Sequence, residues 1–172
     1  MPLEIERKFL VASDAWRALV MHAQRMSQGY LVDSALVQAR QGVRCSLRVR
    51  IGGDKAWLNI KSADLGVARQ EYDYPIPVAD AERMLRDFCN GAVEKTRHYV
   101  PYAGLTFEVD EFHGDNAGLI VAELELESVD QQFAKPEWLG REVSGQLRYY
   151  NLNLLEYPYS RWNALERAGE AT

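Results

Sequence analysis

The sequence predicts an α+β protein made mainly of antiparallel strands, a closed eight-stranded β-barrel with its helices packed outside. Three observations carry this expectation. Short apolar–polar alternations recur along the chain at period two, and tight-turn signals separate them. One face of nearly every alternating segment is ionic, so closing the sheet around those faces encloses the charges and leaves the apolar faces for helices to cover.

The first element is the strand around EIERK, where Glu4, Glu6 and Lys8 project one way and Ile5, Arg7 and Phe9 the other. Ser13-Asp14 before AWRALV reads as a capped helix start. Strands follow over residues 44–51 (RCSLRVRI), 55–61 (KAWLNIK) and 69–76 (RQEYDYPI), the first two joined by the hairpin signal Gly52-Gly53-Asp54. A helix over about 80–89 keeps Ala81, Met84, Leu85 and Phe88 at helical spacing. Three more strands, 94–100, 105–112 and 119–127, precede a helical, aromatic-rich segment over about 147–165 that Pro158 interrupts. The whole of 1–172 reads as one domain.

Twenty Lys and Arg against 25 Asp and Glu give a formal net charge of −5, which argues against a partner bound by overall positive charge, so no nucleic acid is expected. No stretch approaches the roughly 18 apolar residues of a membrane span, and no signal peptide is evident. Cys45 and Cys89 lack CxxC or disulfide-rich spacing, so the expected location is cytoplasmic. His22, His98 and His113 have no ligand spacing, and neither a P-loop nor GxGxxG is present.

Period-two reading sorts the charges. Arg48 and Arg50 oppose Leu47, Val49 and Ile51; Lys61 and Asn59 oppose Leu58 and Ile60; Glu123, Glu125 and Glu127 oppose Ala122, Leu124 and Leu126. Glu71 with Asp73, Lys95 with Arg97, and Glu108 with Asp110 each share a face. A sheet with one solvated ionic face explains the alternation but not the sorting of sign. Adjacent glutamates about 7 Å apart on one strand face repel by roughly 2 kcal/mol at an effective dielectric of about 20, which a cation relieves. Clustered carboxylates suit Mg²⁺ or Mn²⁺, while arginine forks and lysines suit phosphate oxygens. An acidic metal site beside a basic phosphate site describes phosphoryl transfer.

The ordered motifs ExExK, RxR in SLRVR, LNIK, QEYDYPI, KxR in EKTRHY, FEVDEFHG and ExExE in AELELE closely resemble the CYTH family of triphosphate tunnel metalloenzymes. The resemblance continues through PEWLGREVSG and RYYNLNL. It implies an antiparallel eight-stranded tunnel, a divalent metal (Mg²⁺ or Mn²⁺) and a small anionic triphosphate substrate. Carried over residue by residue, it makes Glu4, Glu6, Glu123 and Glu125 metal ligands, with Glu127 a possible addition. Lys8, Arg48, Arg50, Lys61, Lys95 and Arg97 bind phosphate, and Lys8 and Lys95 also count among the catalytic residues with Glu108 and Asp110. Glu108 and Asp110 either ligate a second metal or orient water. Tyr30, in QGYL, either modulates access or simply packs, and the C-terminal segment is a candidate plug for one end.

Fold does not decide among the family's activities. The pattern most resembles the tripolyphosphatases, which cleave inorganic tripolyphosphate to pyrophosphate and phosphate. The alternatives are a class IV-type adenylate cyclase, a thiamine triphosphatase, or a non-catalytic polyphosphate or nucleotide sensor; retention of all the acids favours an enzyme.

Overall fold

The structure, a computed structural model, describes residues 3–32, 45–62 and 68–170. Nine strands form the body: β1 (Leu3–Val11), β2 (His22–Tyr30), β3 (Cys45–Gly52), β4 (Lys55–Ser62), β5 (Ala68–Ile76), β6 (Val93–Tyr102), β7 (Leu105–Phe112), β8 (Ile120–Glu125) and β9 (Leu139–Glu142). They lie in the order β5-β4-β3-β2-β6-β7-β8-β1-β9, and each adjacent pair is antiparallel. The start of β1 also pairs with β5, at Leu3↔Gln70, Glu4↔Arg69 and Ile5↔Ala68. The expected closure of the barrel is therefore a seam of three residue pairs rather than a full-length ladder.

The tight β3–β4 turn rests on Gly53, whose φ of 57° is left-handed and costs glycine nothing. Four expectations shift. The helix α1 spans Val78–Phe88, starting after Pro77, and Phe88 is 69% exposed because the helix ends there. The segment after Ser13 is a short 3-10 helix, Asp14–Leu19, to which the serine side chain gives no capping bond. β2 and β9 are strands the alternation did not reveal, and β8 ends at Glu125, so Glu127 lies beyond it. Arg44, the first residue of the strand expected over 44–51, lies outside the described residues.

Outward-facing residues of β1, β6, β7 and β8, among them Phe9, Val100, Phe107 and Leu124, pack with Trp16 and Trp138 into one core. Ala81, Met84 and Leu85 of α1 pack onto Val49, Ala56 and Leu58 of β3 and β4. Among the described residues no helix is long and apolar enough to cross a membrane.

The inner face changes character along its length. Leu10, Val93, Phe112 and Val121 follow the same strand parity as Lys8, Lys95, Asp110 and Glu123, yet they pack with Val143, Tyr149, Leu154 and Trp162. The C-terminal segment thus lies against the apolar end of the inner face. It comprises a 3-10 turn (Leu147–Tyr149), α2 (Asn151–Glu156), a second 3-10 turn (Tyr159–Arg161) and α3 (Ala164–Arg167). Pro158 precedes the second turn, as the sequence suggested.

Asn116, buried between β7 and β8, ties this segment down: its amide donates to the Leu154 carbonyl at 3.3 Å and accepts from the Tyr159 N–H at 2.8 Å. Asn116→Ala leaves one buried and one part-buried backbone group unpaired and should lower unfolding free energy by about 1–3 kcal/mol, read from urea denaturation. A loss below about 0.5 kcal/mol would show that the segment docks without this tie.

Candidate active site

Cross-strand register brings the inner-face charges into two groups. In the first, Lys8 lies opposite Glu123 and Glu6 opposite Glu125 across β1 and β8, while Glu108 lies opposite Glu123 and Arg97 opposite Asp110 across β7. Lys8 Nζ donates to Glu6 Oε1 at 2.5 Å and to Glu123 Oε1. Arg97 donates to both Asp110 oxygens at 2.7 and 2.8 Å, to Glu123 at 2.5 Å and to Glu108. Lys95 completes the group by bonding Asp110.

The second group lies around the seam. Lys61 Nζ sits between the Glu4 oxygens, at 2.8 and 2.9 Å, and Glu71 at 3.0 Å. Asn59 donates to Glu71 and, at 2.7 Å, to Asp73. Arg48 and Arg50 stand in looser ion pairs, 3.8 Å from Glu71 and 3.6 Å from Asp73, and neither Nε has a hydrogen-bond partner.

Burial and charge compete at several of these groups. Burial opposes ionisation of Glu123, but Lys8, Arg97 and Lys95 outweigh it and hold its pKa well below the usual carboxylate range. Burial likewise opposes the charge on Lys8, and Glu123 with Glu6 reverses it, raising the ammonium's pKa. At Lys95 burial and the neighbouring Arg97 prevail over Asp110 and lower the pKa. Burial raises Glu108 despite Arg97, and raises Glu4, which shares a hydrogen bond with Glu71. The Arg50 guanidinium is depressed by burial and by Arg48 beside it.

All ten residues singled out as phosphate or metal groups, Glu4, Glu6, Lys8, Arg48, Arg50, Lys61, Lys95, Arg97, Glu123 and Glu125, fall on the inner-face parity of their strands. Glu4 joins the Lys61–Glu71 group rather than the Lys8–Glu123 group. Glu125 is exposed, Glu108 part-buried and Asp110 fully buried. Tyr30 pairs with Arg48 at the end of β2. Glu71, Asp73 and Asn59 belong to the site although the sequence reading gave them no role, and the QEYDY alternation was the signal for the two acids. Gln28, Trp57 and Tyr99 also face inward; only their parity to Arg50 and Arg97 reveals it.

A family model described as the CYTH domain matches residues 2–159. The chain belongs to the CYTH family. A CYTH relative from Acetivibrio thermocellus named inorganic triphosphatase is 41% identical over 163 residues, 94% of this chain and 99% of the relative. Another of that name, from Nitrosomonas europaea, is 37% identical, covering 86% of this chain and 93% of its own. A solved inorganic triphosphatase superposes with a TM-score of 0.62 at 35% identity over 90% of this chain and 95% of its own. A Hippeastrum protein described as revealing a dominant triphosphatase activity shares the fold, with a TM-score of 0.54 at 18% identity over 73% of this chain and 80% of its own.

For this CYTH chain, Asp110 is the acceptor on which two buried cations depend. Asp110→Asn strips Lys95 and Arg97 of a shared counterion and should cost about 3–5 kcal/mol of stability in urea denaturation without added ligand. Asp14→Asn, in an exposed pair with Arg17, should cost under about 1 kcal/mol. Equal losses would mean that the inner face is as well solvated as the surface.

Proposed function

We propose that this CYTH protein is an inorganic triphosphatase, cleaving tripolyphosphate to pyrophosphate and orthophosphate. The observation that carries this reading is the wall formed by Arg48 and Arg50: two cations on the inner face whose Nε donors lack acceptors, facing a wall of carboxylates. Phosphate oxygens supply such acceptors. The names of the relatives support the same reading. Residues 1–172 then act as a single tunnel domain, and the free thiols of Cys45 and Cys89 suit a cytoplasmic protein.

The carboxylates fit a hard divalent cation, Mg²⁺ or Mn²⁺. Glu6 opposes Glu125, and Glu123 opposes Glu108, and like charges directly opposite one another are unfavourable without a countercharge. Among the described residues no three of them stand close enough together to hold an ion as placed, because Lys8 ties Glu6 to Glu123. Glu6, Glu123 and Glu125 would hold the cation, with Glu4 flanking them on β1. When bound, such an ion neutralises phosphate charge and lowers the pKa of water.

Arg48, Arg50 and Lys61 bind one end of the tripolyphosphate, and Lys8, Lys95 and Arg97 the other, so that the chain of phosphates lies across both groups. Tyr30 borders the Arg48 side. Glu108 and Asp110 take different parts. Asp110 is saturated by Lys95 and Arg97 and aims them, whereas Glu108 is part-exposed with a raised pKa, suited to orient a water and accept its proton. That water attacks a terminal phosphorus in line, the anhydride bond breaks, and the bridging oxygen leaves with pyrophosphate.

The inward-facing rings of Trp57 and Tyr99 are each engaged: Trp57 lies 5.3 Å from the Arg50 guanidinium and Tyr99 stacks with His22 at 5.7 Å. Neither of these two rings offers a nucleobase a free face. Tripolyphosphate should exceed ATP and thiamine triphosphate in kcat/KM by at least about tenfold, equivalent to about 1.4 kcal/mol, and pyrophosphate should be poor. Phosphate release, with cyclic AMP assayed in the ATP reaction, measures this. Efficient cyclic AMP formation, or ATP turnover equal to tripolyphosphate, would sink the proposal.

Chelation of divalent metal should abolish turnover, and Glu125→Gln should reduce it at least about a hundredfold while leaving the melting temperature of the free protein unchanged or higher. Full activity of Glu125→Gln at saturating Mg²⁺ and Mn²⁺ would remove Glu125 from the metal site.

A further inference from the structure

Gln28 is 1% exposed, and its side-chain nitrogen has no hydrogen-bond partner. Burying such a donor without an acceptor is costly, so the position demands a reason. The backbone cannot relieve it, because β2 is paired on both sides at this point, Gln28 lying opposite Arg50 on β3 and Val93 on β6. Nor can the strand roll to present another side chain. A Cβ at the next residue, Gly29, would stand 2.8 Å from Cys89 Sγ and 2.8 Å from Leu85 Cδ2, so the outer face of β2 is pressed against the end of α1. Gln28 is thereby held on the inner face.

Directly across from it is Arg50, with Arg48 two residues along the same face, and both lack a partner at Nε. Three unpaired donors from two adjacent strands thus face the same interior. We infer that Gln28 is a substrate-binding residue, its amide donating to a non-bridging oxygen of the phosphate group that Arg48 and Arg50 neutralise. The assignment rests on the triphosphatase reading and adds to it a neutral donor that sets the direction of the phosphate where the guanidinium ions supply charge.

The signature of this role is opposite signs of effect on stability and on binding. Gln28→Met keeps the length and removes the unpaired donor. Its melting temperature without ligand should equal or exceed that of the wild type, while its apparent affinity for tripolyphosphate at saturating Mg²⁺, read as KM with kcat measured alongside, should fall at least about tenfold, or about 1.4 kcal/mol. Gln28→Glu, which sets a carboxylate opposite Arg50, should also be at least as stable and should bind more weakly still.

A drop of more than a few degrees in Gln28→Met, or failure of both variants to fold, would mean that the amide is already satisfied in the free protein and would overturn the assignment. Undiminished affinity in Gln28→Met, with wild-type cleavage of tripolyphosphate intact, overturns this assignment alone. A wild-type protein that neither binds nor cleaves tripolyphosphate overturns the triphosphatase reading with it.

Discussion

Lys8, Lys61, Lys95 and Arg97 on the inner face of this barrel each bond a carboxylate from a neighbouring strand, and register decides which carboxylate that is. Lys8 meets Glu123, Arg97 meets Asp110, and Lys61 meets Glu71 as direct cross-strand partners. A slip of one residue in any of these ladders would turn the charged face outward and send Phe9, Val49 or Leu124 inside. The ionic contacts and the apolar contacts therefore specify the same register from opposite sides of the sheet. Much of the ionic contribution to a unique fold lies there, since desolvation offsets most of the attraction within any single buried pair.

Charge on the inside makes apolar packing on the outside obligatory. Trp16 and Trp138 cover the outer face of β1, β6, β7 and β8, and α1 covers β3 and β4. The exception is the end where Leu10, Val93, Phe112 and Val121 turn the inner face apolar and the C-terminal segment supplies Tyr149, Leu154 and Trp162. Tyr150, the neighbour of Tyr149, carries its ring to 5.9 Å from the Lys8 ammonium, so the segment that fills the apolar end also forms the floor of the charged space. The Val143 N–H and the Ser144 hydroxyl bond the carbonyl and N–H of Lys8, which ties that floor to the strand bearing the site.

The parts legible in sequence are those in which period-two alternation and charge coincide. RCSLRVRI, KAWLNIK and LTFEVDEF alternate cleanly, so their strands and their inward residues could be read directly. β2 could not be read this way: HAQRMSQGY has a single strongly apolar residue inside it, Met26, and becomes a strand because β3 and β6 hold it on both sides. Gln28 went unseen for the same reason. β9 is only four residues long and exists through its pairing with β1. Glu127 matched the ExExE pattern, but motif spacing carries no signal for where a strand ends, and the chain leaves β8 two residues earlier. The partition between Glu108 and Asp110 was also hidden, because it depends on Lys95 and Arg97 converging from β6 on one carboxylate and leaving the other part-exposed.

The balance of charge on the inner face links the fold to the proposed chemistry. Among the described side chains Lys8, Arg48, Arg50, Lys61, Lys95 and Arg97 face Glu4, Glu6, Glu71, Asp73, Glu108, Asp110, Glu123 and Glu125, so there the carboxylates outnumber the cations. A polyanion entering such a space alone would meet a net negative lining. The proposed divalent cation, taken up by acids that Lys8 now bridges, brings the lining close to neutrality and relieves the competition for that lysine. The cations are not equally committed either: Arg97 is saturated by three carboxylates, while Arg48 and Arg50 hold theirs at a distance. On the proposed reading, the wall of β2 and β3 is therefore where an incoming phosphate displaces least and gains most, and the wall of β1, β7 and β8 is where the acids would serve metal and water. The proposed direction of substrate binding across the barrel follows from that asymmetry.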